Sequence, residues 1–294
     1  MYARIYQAIV LLIVVLSTIS ILGCGKTTDP KTNFQYPLQV GNNWEFSLTN
    51  ELYNIRGDQQ AAQDVINSMQ SGRAVIKIIG KDVVDSTIET YVMQSSITQG
   101  DVVFVDSGKT YVNNTAEGLI IYYANNRIGF TLHKPKQTGY LLQYNNQLYS
   151  SFEELTASVP RGFATGIASA CRPGPQPLVD YDDYLTLAYP LHVGKTWIAT
   201  FSTSIGHLRK TIDRFEDITV PAGDFSCYVI DNTWWQQDSG VISLNVNRVD
   251  HISAQGLIKR VIAYHDIYIV DETSNILATV DMTTTYMLTD LDLQ

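Results

Sequence analysis

Two Asp-His pairs carry the residue types that could bind a metal or transfer protons. Asp250-His251 and His265-Asp266 lie in stretches whose pattern predicts neighbouring strands. Because adjacent residues on a strand point to opposite faces of a sheet, the Asp and the His of one pair cannot converge on one ion. His251 and His265 could still face each other across a ladder and share a zinc ion, and this alternative stays open.

The sequence motifs of the common hydrolases are missing from the chain. Gly162–Gly166 has the outer glycines of a Gly-x-Ser-x-Gly motif but Ala164 at its centre, and no His-Glu-x-x-His motif occurs. The aspartates are scattered through predicted turns, so no carboxylate pair for glycoside hydrolysis can be located. The sequence therefore predicts a non-catalytic protein with no cofactor and no metal.

Aromatic side chains are the remaining candidates for ligand contact. The chain has 18 tyrosines, and Trp234-Trp235 forms a doublet in a predicted strand. One tryptophan of such a doublet must point inward and the other outward. The outward one could stack on a sugar ring, join an interface or lie beneath a partly covered edge. Trp234 and Trp235 are therefore candidate ligand or surface contacts.

The N-terminus has the pattern of a cleaved secretion signal. Arg4 is the one charged residue in 1–23, an apolar run covers Ala8–Leu16, and Cys24 follows the segment. This pattern predicts a signal peptide over 1–23. A membrane-spanning anchor is the alternative, for which Ile5–Leu22 is barely long enough.

The ending Ile21-Leu22-Gly23-Cys24 resembles the lipobox of bacterial lipoprotein precursors, with Ile21 where Leu is usual. The resemblance implies cleavage before Cys24, a diacylglycerol thioether on its sulfur and acylation of the new N-terminus. Residues 24–35 would then form a lipid-anchored tether between the membrane and the folded part. Gly25 is not the aspartate associated with inner-membrane retention, so the resemblance favours the outer membrane of the cell envelope.

Two cysteines remain once Cys24 is lipidated. Outside the cytoplasm such thiols can pair. Cys171 lies in a Pro- and Gly-rich segment and Cys227 in a predicted strand, so the sequence does not decide whether they are close. A Cys171–Cys227 disulfide and two unpaired cysteines therefore both stay open.

A nine-residue motif occurs twice and indicates an internal duplication. Tyr36–Trp44 and Tyr189–Trp197 share Tyr, Pro, Leu, Val, Gly and Trp at the same positions. Two later pairs of segments match in the same order: Tyr91-Val92 with Tyr228-Val229, and Gly118–Ile120 with Gly256–Ile258. Three matches in one order predict a tandem repeat. The motif's tryptophans should start a strand and pack in the core, with pocket lining as the alternative.

The duplication defines the expected domains. β repeat 1 covers 36–150, a Pro/Gly-rich linker covers 151–188, and β repeat 2 covers 189–294. The first copy carries an insertion at 56–72, which is the best helix candidate of the chain.

Period-two alternation with short turns dominates both copies, and Val241–Val249 shows it clearly. This pattern predicts antiparallel sheets with one buried face. We therefore expect a mainly β protein of two tandem, curved-sheet, half-barrel-like repeats with one short helical insertion. Each copy should close around its own apolar side.

The repeated motif, Val220–Tyr228 and Gly256–Arg260 together resemble an uncharacterised group of bacterial lipoproteins with tandem Pro-Leu-x-Val-Gly-x-x-Trp β repeats. The second copy matches the group's pattern fully, whereas the first has Val84–Ile88 in place of Pro-Ala-Gly-x-Phe. The resemblance implies no activity. The shape it implies is similar to the curved antiparallel sheets of Lol-type lipoprotein carriers, which hold acyl chains.

The expected function is a non-catalytic envelope lipoprotein that acts as a binding or assembly scaffold. A formal net charge of −9 argues against nucleic acid as a partner. A carrier of acyl chains or another apolar ligand would need an apolar concavity, and a glycan-binding module would need exposed aromatics beside polar groups. The partner beyond the membrane, whether protein, glycan or apolar ligand, is not given by the sequence.

We predict that Cys24→Ser abolishes acylation, because the thioether requires the sulfur. The variant should accumulate as an uncleaved or soluble species and lose metabolic labelling by a radioactive fatty acid. Cys227→Ser is the matched control and should be labelled like the unmodified chain. Labelling that persists in Cys24→Ser would contradict the lipobox assignment.

Overall fold

Antiparallel strands form most of the protein, as the alternating pattern requires. The structure is a computed structural model that describes residues 34–84, 86–99, 102–106, 109–125, 128–130, 139–152, 154–155, 184–202, 206–236, 240–241 and 245–294. The expected fold class is confirmed: the chain is mainly β, with curved antiparallel sheets and one short helical insertion.

The first half of the fold runs from β1 to β10. Its elements are β1 (Asn43–Gly57), α1 (Gln59–Ser68), β2 (Gly72–Val84), β3 (Ile88–Gln99), β4 (Val102–Asp106), β5 (Lys109–Asn114), β6 (Gly118–Asn125), β7 (Ile128–Phe130), β8 (Leu141–Tyr144), β9 (Gln147–Tyr149) and β10 (Tyr184–Ala188).

The second half runs from β11 to β17. Its elements are β11 (Thr196–Ser202), β12 (Gly206–Val220), β13 (Gly223–Gln236), β14 (Gly240–Val241), β15 (Val246–Ser253), β16 (Gly256–Val270) and β17 (Ile276–Asp292).

The two halves use the same strand order and join into one sheet. In the first half, pairing follows β1, β2, β3, β5, β6 and β10. In the second, it follows β11, β12, β13, β15, β16 and β17. The ladder between β1 and β17 connects the halves, which leaves β10 and β11 as the two edges of this order. The short strands β4, β7, β8, β9 and β14 extend individual ladders.

The repeated motif builds the same turn in both halves. Gly41 and Gly194 have φ of 101° and 86°, a region that favours glycine. The Gly41 N–H donates to Ile78 O at 2.9 Å, and the Gly194 N–H donates to Ile212 O at 2.8 Å. The motif therefore fixes the turn that leads into the first strand of each half.

Both motif tryptophans are buried, as expected of core residues. Trp44 is 0% exposed and Trp197 is 8% exposed. The Trp44 indole donates to Gln255 O at 2.7 Å, and the Trp197 indole donates to Leu185 O at 3.1 Å. The second bond links β11 to β10, so it brings the two edges of the sheet together and nearly closes it into a barrel.

One shared interior replaces the two separate cores that the sequence analysis expected. Inward side chains from both halves pack in a single cluster, which includes Trp44, Phe46, Ile76, Leu208, Tyr228 and Leu288. The expectation that each copy closes around its own apolar side is therefore wrong. Pairing between β1 and β17 satisfies the exposed edge of each half and makes the two curved sheets continuous.

A second apolar cluster covers the far ends of β16 and β17. Asp58 caps α1 through Oδ1, which accepts from the N–H groups of Gln60 and Ala61 at 2.8 and 3.1 Å. The helix buries Ala61, Ala62 and Val65 against strand residues that include Ile267, Ala278 and Val280. Among the described residues, no helix has the length and apolarity to cross a membrane.

Parts of the expected linker 151–188 have structure of their own. Residues 184–188 form β10, which pairs with β6. Phe152 and Leu155 are 2% and 0% exposed and belong to the second cluster. Neither segment contains proline or glycine, and it is the Pro- and Gly-rich stretch between them that made 151–188 resemble a linker.

We predict that Gly118→Ala destabilises the fold by about 3 kcal/mol. A Cβ at Gly118 would lie 1.8 Å from Leu187 O, so β6 and β10 could not keep their ladder. Gly80→Ala is the matched control, since a Cβ there meets nothing within 4 Å. Urea denaturation followed by circular dichroism measures both, and equal midpoints would contradict the close approach of β10.

Candidate functional site

The candidate site residues named from the sequence do not form one site among the described residues. Cys24 and Cys171 lie outside the described residues, so lipidation and the disulfide stay predictions. Cys227 is 0% exposed, with Sγ 3.9 Å from Phe225 O, and burial raises the pKa of its thiol to about 12. Such a thiol is a poor nucleophile at neutral pH.

Trp234 and Trp235 lie in β13, opposite Leu208 and His207 of β12. Their side chains are outside the part of the chain whose side chains the structure describes. Their role as ligand or surface contacts stays a prediction.

The two Asp-His pairs do not face each other. His251 pairs with Lys259 across the β15–β16 ladder, whereas the His265 N–H donates to Asn245 O beyond the end of β15. His251 Nε2 lies 3.2 Å from Glu216 Oε1. The zinc alternative between the histidines is therefore wrong, because the register keeps them apart. Within the described ranges, no three His, Cys, Asp or Glu side chains are placed to hold a metal ion.

Asp250 lies at the centre of a charged cluster inside the sheet, on the second half. Its carboxylate accepts from Arg260 Nε at 2.5 Å and from Arg248 Nε at 3.0 Å. The Asn232 amide lies 3.4 Å away, and Lys210 Nζ donates to Thr186 O of β10 at 3.0 Å. We call Lys210, Asn232, Arg248, Asp250 and Arg260 the interior charge cluster.

Charge pairing keeps Asp250 ionised although it is buried. Burial alone would raise the pKa of its carboxyl, but Arg248 and Arg260 hold that pKa well below its usual range. Burial and the nearby arginines lower the pKa of Lys210 well below its usual value. The cluster is therefore a polar layer across the interior, in which positive groups outnumber negative ones.

The corresponding strands of the first half show that this polar layer is not required by the fold. Trp197 pairs with Lys210, and the corresponding Trp44 pairs with Ile76. Lys210 and Ile76 are each 1% exposed, so equivalent inward positions hold an amine in one half and an aliphatic chain in the other. Comparing the two copies strand by strand could have revealed this difference in the sequence.

A polar groove lies on the outer face, where the two strands that flank β17 both depart from regular pairing. β1 has a bulge between Tyr53 and Arg56, and β16 has one between Tyr264 and Ile267, on either side of β17. Asn54 and Asp266 occupy these bulges with φ of 50° and 56°, which Asn and Asp tolerate better than most residues. Left-handed residues outside glycine often mark functional sites.

Asp281 of β17 holds the two bulges together. Its Oδ2 accepts from Asn54 Nδ2 at 2.9 Å, and its Oδ1 accepts from the Asp266 N–H at 3.0 Å. Burial alone would raise the pKa of Asp281, but these hydrogen bonds and His265 lower it. The groove has a volume of about 490 Å³ and is lined by Asn54, Ile55, Arg56, His265, Asp266 and Asp281. We call it the bulge groove.

Both ring nitrogens of His265 are engaged in this groove. Nδ1 lies 3.4 Å from Asp281 Oδ2, and Nε2 lies 3.2 Å from Asn247 Nδ2. An imidazole that donates to Asp281 and accepts from Asn247 has no nitrogen left for a substrate proton. The sequence analysis singled out His265 and Asp266 but missed Asn54, Arg56 and Asp281, which only strand pairing brings beside them.

Comparisons with known proteins give distant similarities only. No family model and no curated protein matches the chain. A candidate exported protein with a YmcC-like fold from Bacteroides fragilis is 9% identical over 88% of this chain and 99% of its own, with a TM-score of 0.30. A candidate lipoprotein from Parabacteroides distasonis is 13% identical over 88% and 98%, with a TM-score of 0.28. A LolA superfamily protein from Nitrosomonas europaea is 11% identical over 89% of each chain, with a TM-score of 0.20.

We predict that Asp250→Asn costs about 3–5 kcal/mol of stability at pH 7, because it leaves Arg248 and Arg260 buried without their counter-charge. The folded-state pKa of Asp250 is lowered, so its contribution is complete at neutral pH and is lost as the pH falls below the unfolded pKa of about 3.9. Acid unfolding should therefore have a shallower pH dependence in the variant.

Asp213→Asn is the matched control for this measurement. Asp213 pairs with Arg214 at 2.7 Å, but its side chain is 50% exposed, so its loss should change stability by less than about 1 kcal/mol. Equal effects of the two substitutions in denaturation at pH 7 would contradict the buried pairing.

Proposed function

We propose that this chain is a non-catalytic, lipid-anchored envelope protein whose filled barrel serves as a scaffold for recognition on its outer surface. The observation that supports this proposal best is the occupied interior. Trp44 and Phe46 are 0% exposed, and Tyr228 is 2% exposed, so the protein's own aromatic side chains take the space that a ligand would need. Each buried aromatic covers about 150–250 Å².

The interior charge cluster also argues against an acyl-chain carrier. A hydrocarbon chain passing through the interior would contact Asp250 and Arg260, which are 3% and 5% exposed. Apolar matter around ionised groups is unfavourable, because it supplies no hydrogen bonds or counter-charge. Carriage of acyl chains or another apolar ligand is therefore the alternative that our experiment must exclude.

The non-catalytic part of the proposal is supported by the histidine contacts. His265 is held by Asp281 and Asn247, and His251 lies against Glu216. Neither pairing presents a nucleophile in hydrogen-bond reach among the described residues, which a base–nucleophile mechanism requires. The membrane is the first partner, through lipidated Cys24, and Gly25 supports an outer-membrane destination.

We predict that the protein carries no lipid in its interior. A form in which a cleavable leader without a lipobox replaces residues 1–24 should give only the mass of the polypeptide in native mass spectrometry. It should also bind little of a hydrophobic dye, because aromatic side chains such as Trp44, Phe46 and Tyr228 fill the described interior. One co-purified lipid per chain would overturn the filled-barrel proposal in favour of a carrier.

Leu288→Ala is the matched variant for the dye measurement. Leu288 is 0% exposed, so its truncation should open a cavity of the kind that admits small apolar molecules. Increased dye binding by this variant would show that the assay reports interior space.

A further inference from the structure

We propose that the bulge groove binds a neutral saccharide. The inference rests on the proposed function in one respect, since it names the ligand class that a surface-recognition scaffold would take. It is independent of whether the barrel interior is filled.

Hydrogen bonds within the protein fix the geometry of the groove. Two bulges on β1 and β16 open toward the same outer face, and Asp281 on the strand between them fixes both. Asp281 has a side chain only 10% exposed, and both of its oxygens are already used, so it acts as a positioning residue. The volume of about 490 Å³ is within the range of small-molecule sites.

The groove offers hydrogen-bonding atoms of both kinds. Arg56 Nη2 donates to Asp266 Oδ1 at 2.8 Å, with side chains that are 60% and 46% exposed. Four polar atoms of the groove have no hydrogen-bond partner among the described residues: Arg56 Nε and Nη1, Asp266 Oδ2 and Asn54 Oδ1. A row of planar donors and acceptors suits the hydroxyl groups of a sugar, each of which both donates and accepts.

Aromatic rings flank these polar groups. Tyr53 pairs with Asp281 across the β1–β17 ladder and contacts the His265 ring edge-on at 6.5 Å between centroids. Thr279 pairs with Arg56 on one side and Tyr268 on the other, which places Arg56 and Tyr268 on the same outer face. Tyr268 is 36% exposed, so its ring is available to the C–H face of a sugar.

The charges of the groove argue against an anionic ligand. Arg56 is paired with Asp266, and the second carboxylate, Asp281, lies beside an uncharged amide and an imidazole. No positive charge is left over for a phosphate or a sulfate. The groove therefore differs from the interior charge cluster, where positive groups are in excess.

The test is binding of cellobiose, maltose and N,N′-diacetylchitobiose to the full chain, in a detergent without a sugar headgroup where detergent is needed. Saturation-transfer NMR and calorimetry should detect at least one of them, with a Kd on the order of 1 mM or tighter. Arg56→Ala and Tyr268→Ala should each weaken that binding at least about tenfold. Both residues are exposed, so their removal leaves the fold intact, as circular dichroism should verify.

Asp266→Asn is the second groove variant, and Arg214→Ala on β12 is the matched control. Asn tolerates the left-handed backbone of Asp266 but removes its charge, so binding should weaken while the bulge remains. Arg214 also pairs with exposed carboxylates, at 2.7 and 2.8 Å, yet lies on a different strand, so its variant should bind like the unmodified chain.

Absence of binding by all three disaccharides at about 10 mM would overturn the saccharide assignment, as would equal binding by Arg56→Ala and the unmodified chain. Neither result would contradict the proposal of a filled-barrel scaffold, because that proposal is tested by the lipid content of the protein.

Discussion

The ladder between β1 and β17 joins the start of the described fold to its end, and the rest of the sheet depends on it. Each half has a curved sheet whose inward face is apolar, and a curved sheet alone leaves both an edge and a face exposed. Pairing β1 with β17 removes one edge from each half and places both faces around one interior. The contacts of Trp197 and Lys210 with β10 draw the opposite edges together.

The two halves have the same strand order but line their shared interior with different side chains. The motif turns and their tryptophans are equivalent, whereas Ile76 in one half corresponds to Lys210 in the other. Ionised groups on the second half are stable inside the sheet because Asp250 is held by two arginines. Because aromatic side chains and paired charges occupy the interior, we propose that recognition takes place on the outer surface.

The bulge groove lies where three long strands continue past the interior shared by the two halves. Three strands, β1, β16 and β17, extend beyond the interior shared by the two halves. α1 packs against their ends and forms the second apolar cluster with them. β1 and β16 keep β17 as their partner on both sides of the bulges, whose extra residues bend the strands locally. The bulges turn Asn54 and Asp266 toward one patch, where Asp281 fixes their geometry.

The fold class, the insertion that forms α1 and the burial of Trp44 and Trp197 could be predicted from the amino-acid sequence, because they follow from local alternation, turn residues and a repeated motif. Three features could be recognised only in the folded chain: the halves share one interior, residues 184–188 form a strand, and Arg56 and Asp281 lie beside Asp266. Those relations depend on contacts between residues far apart in the chain, such as Arg56 with Asp266 and Tyr184 with Ile121, and no local pattern encodes the register of such ladders.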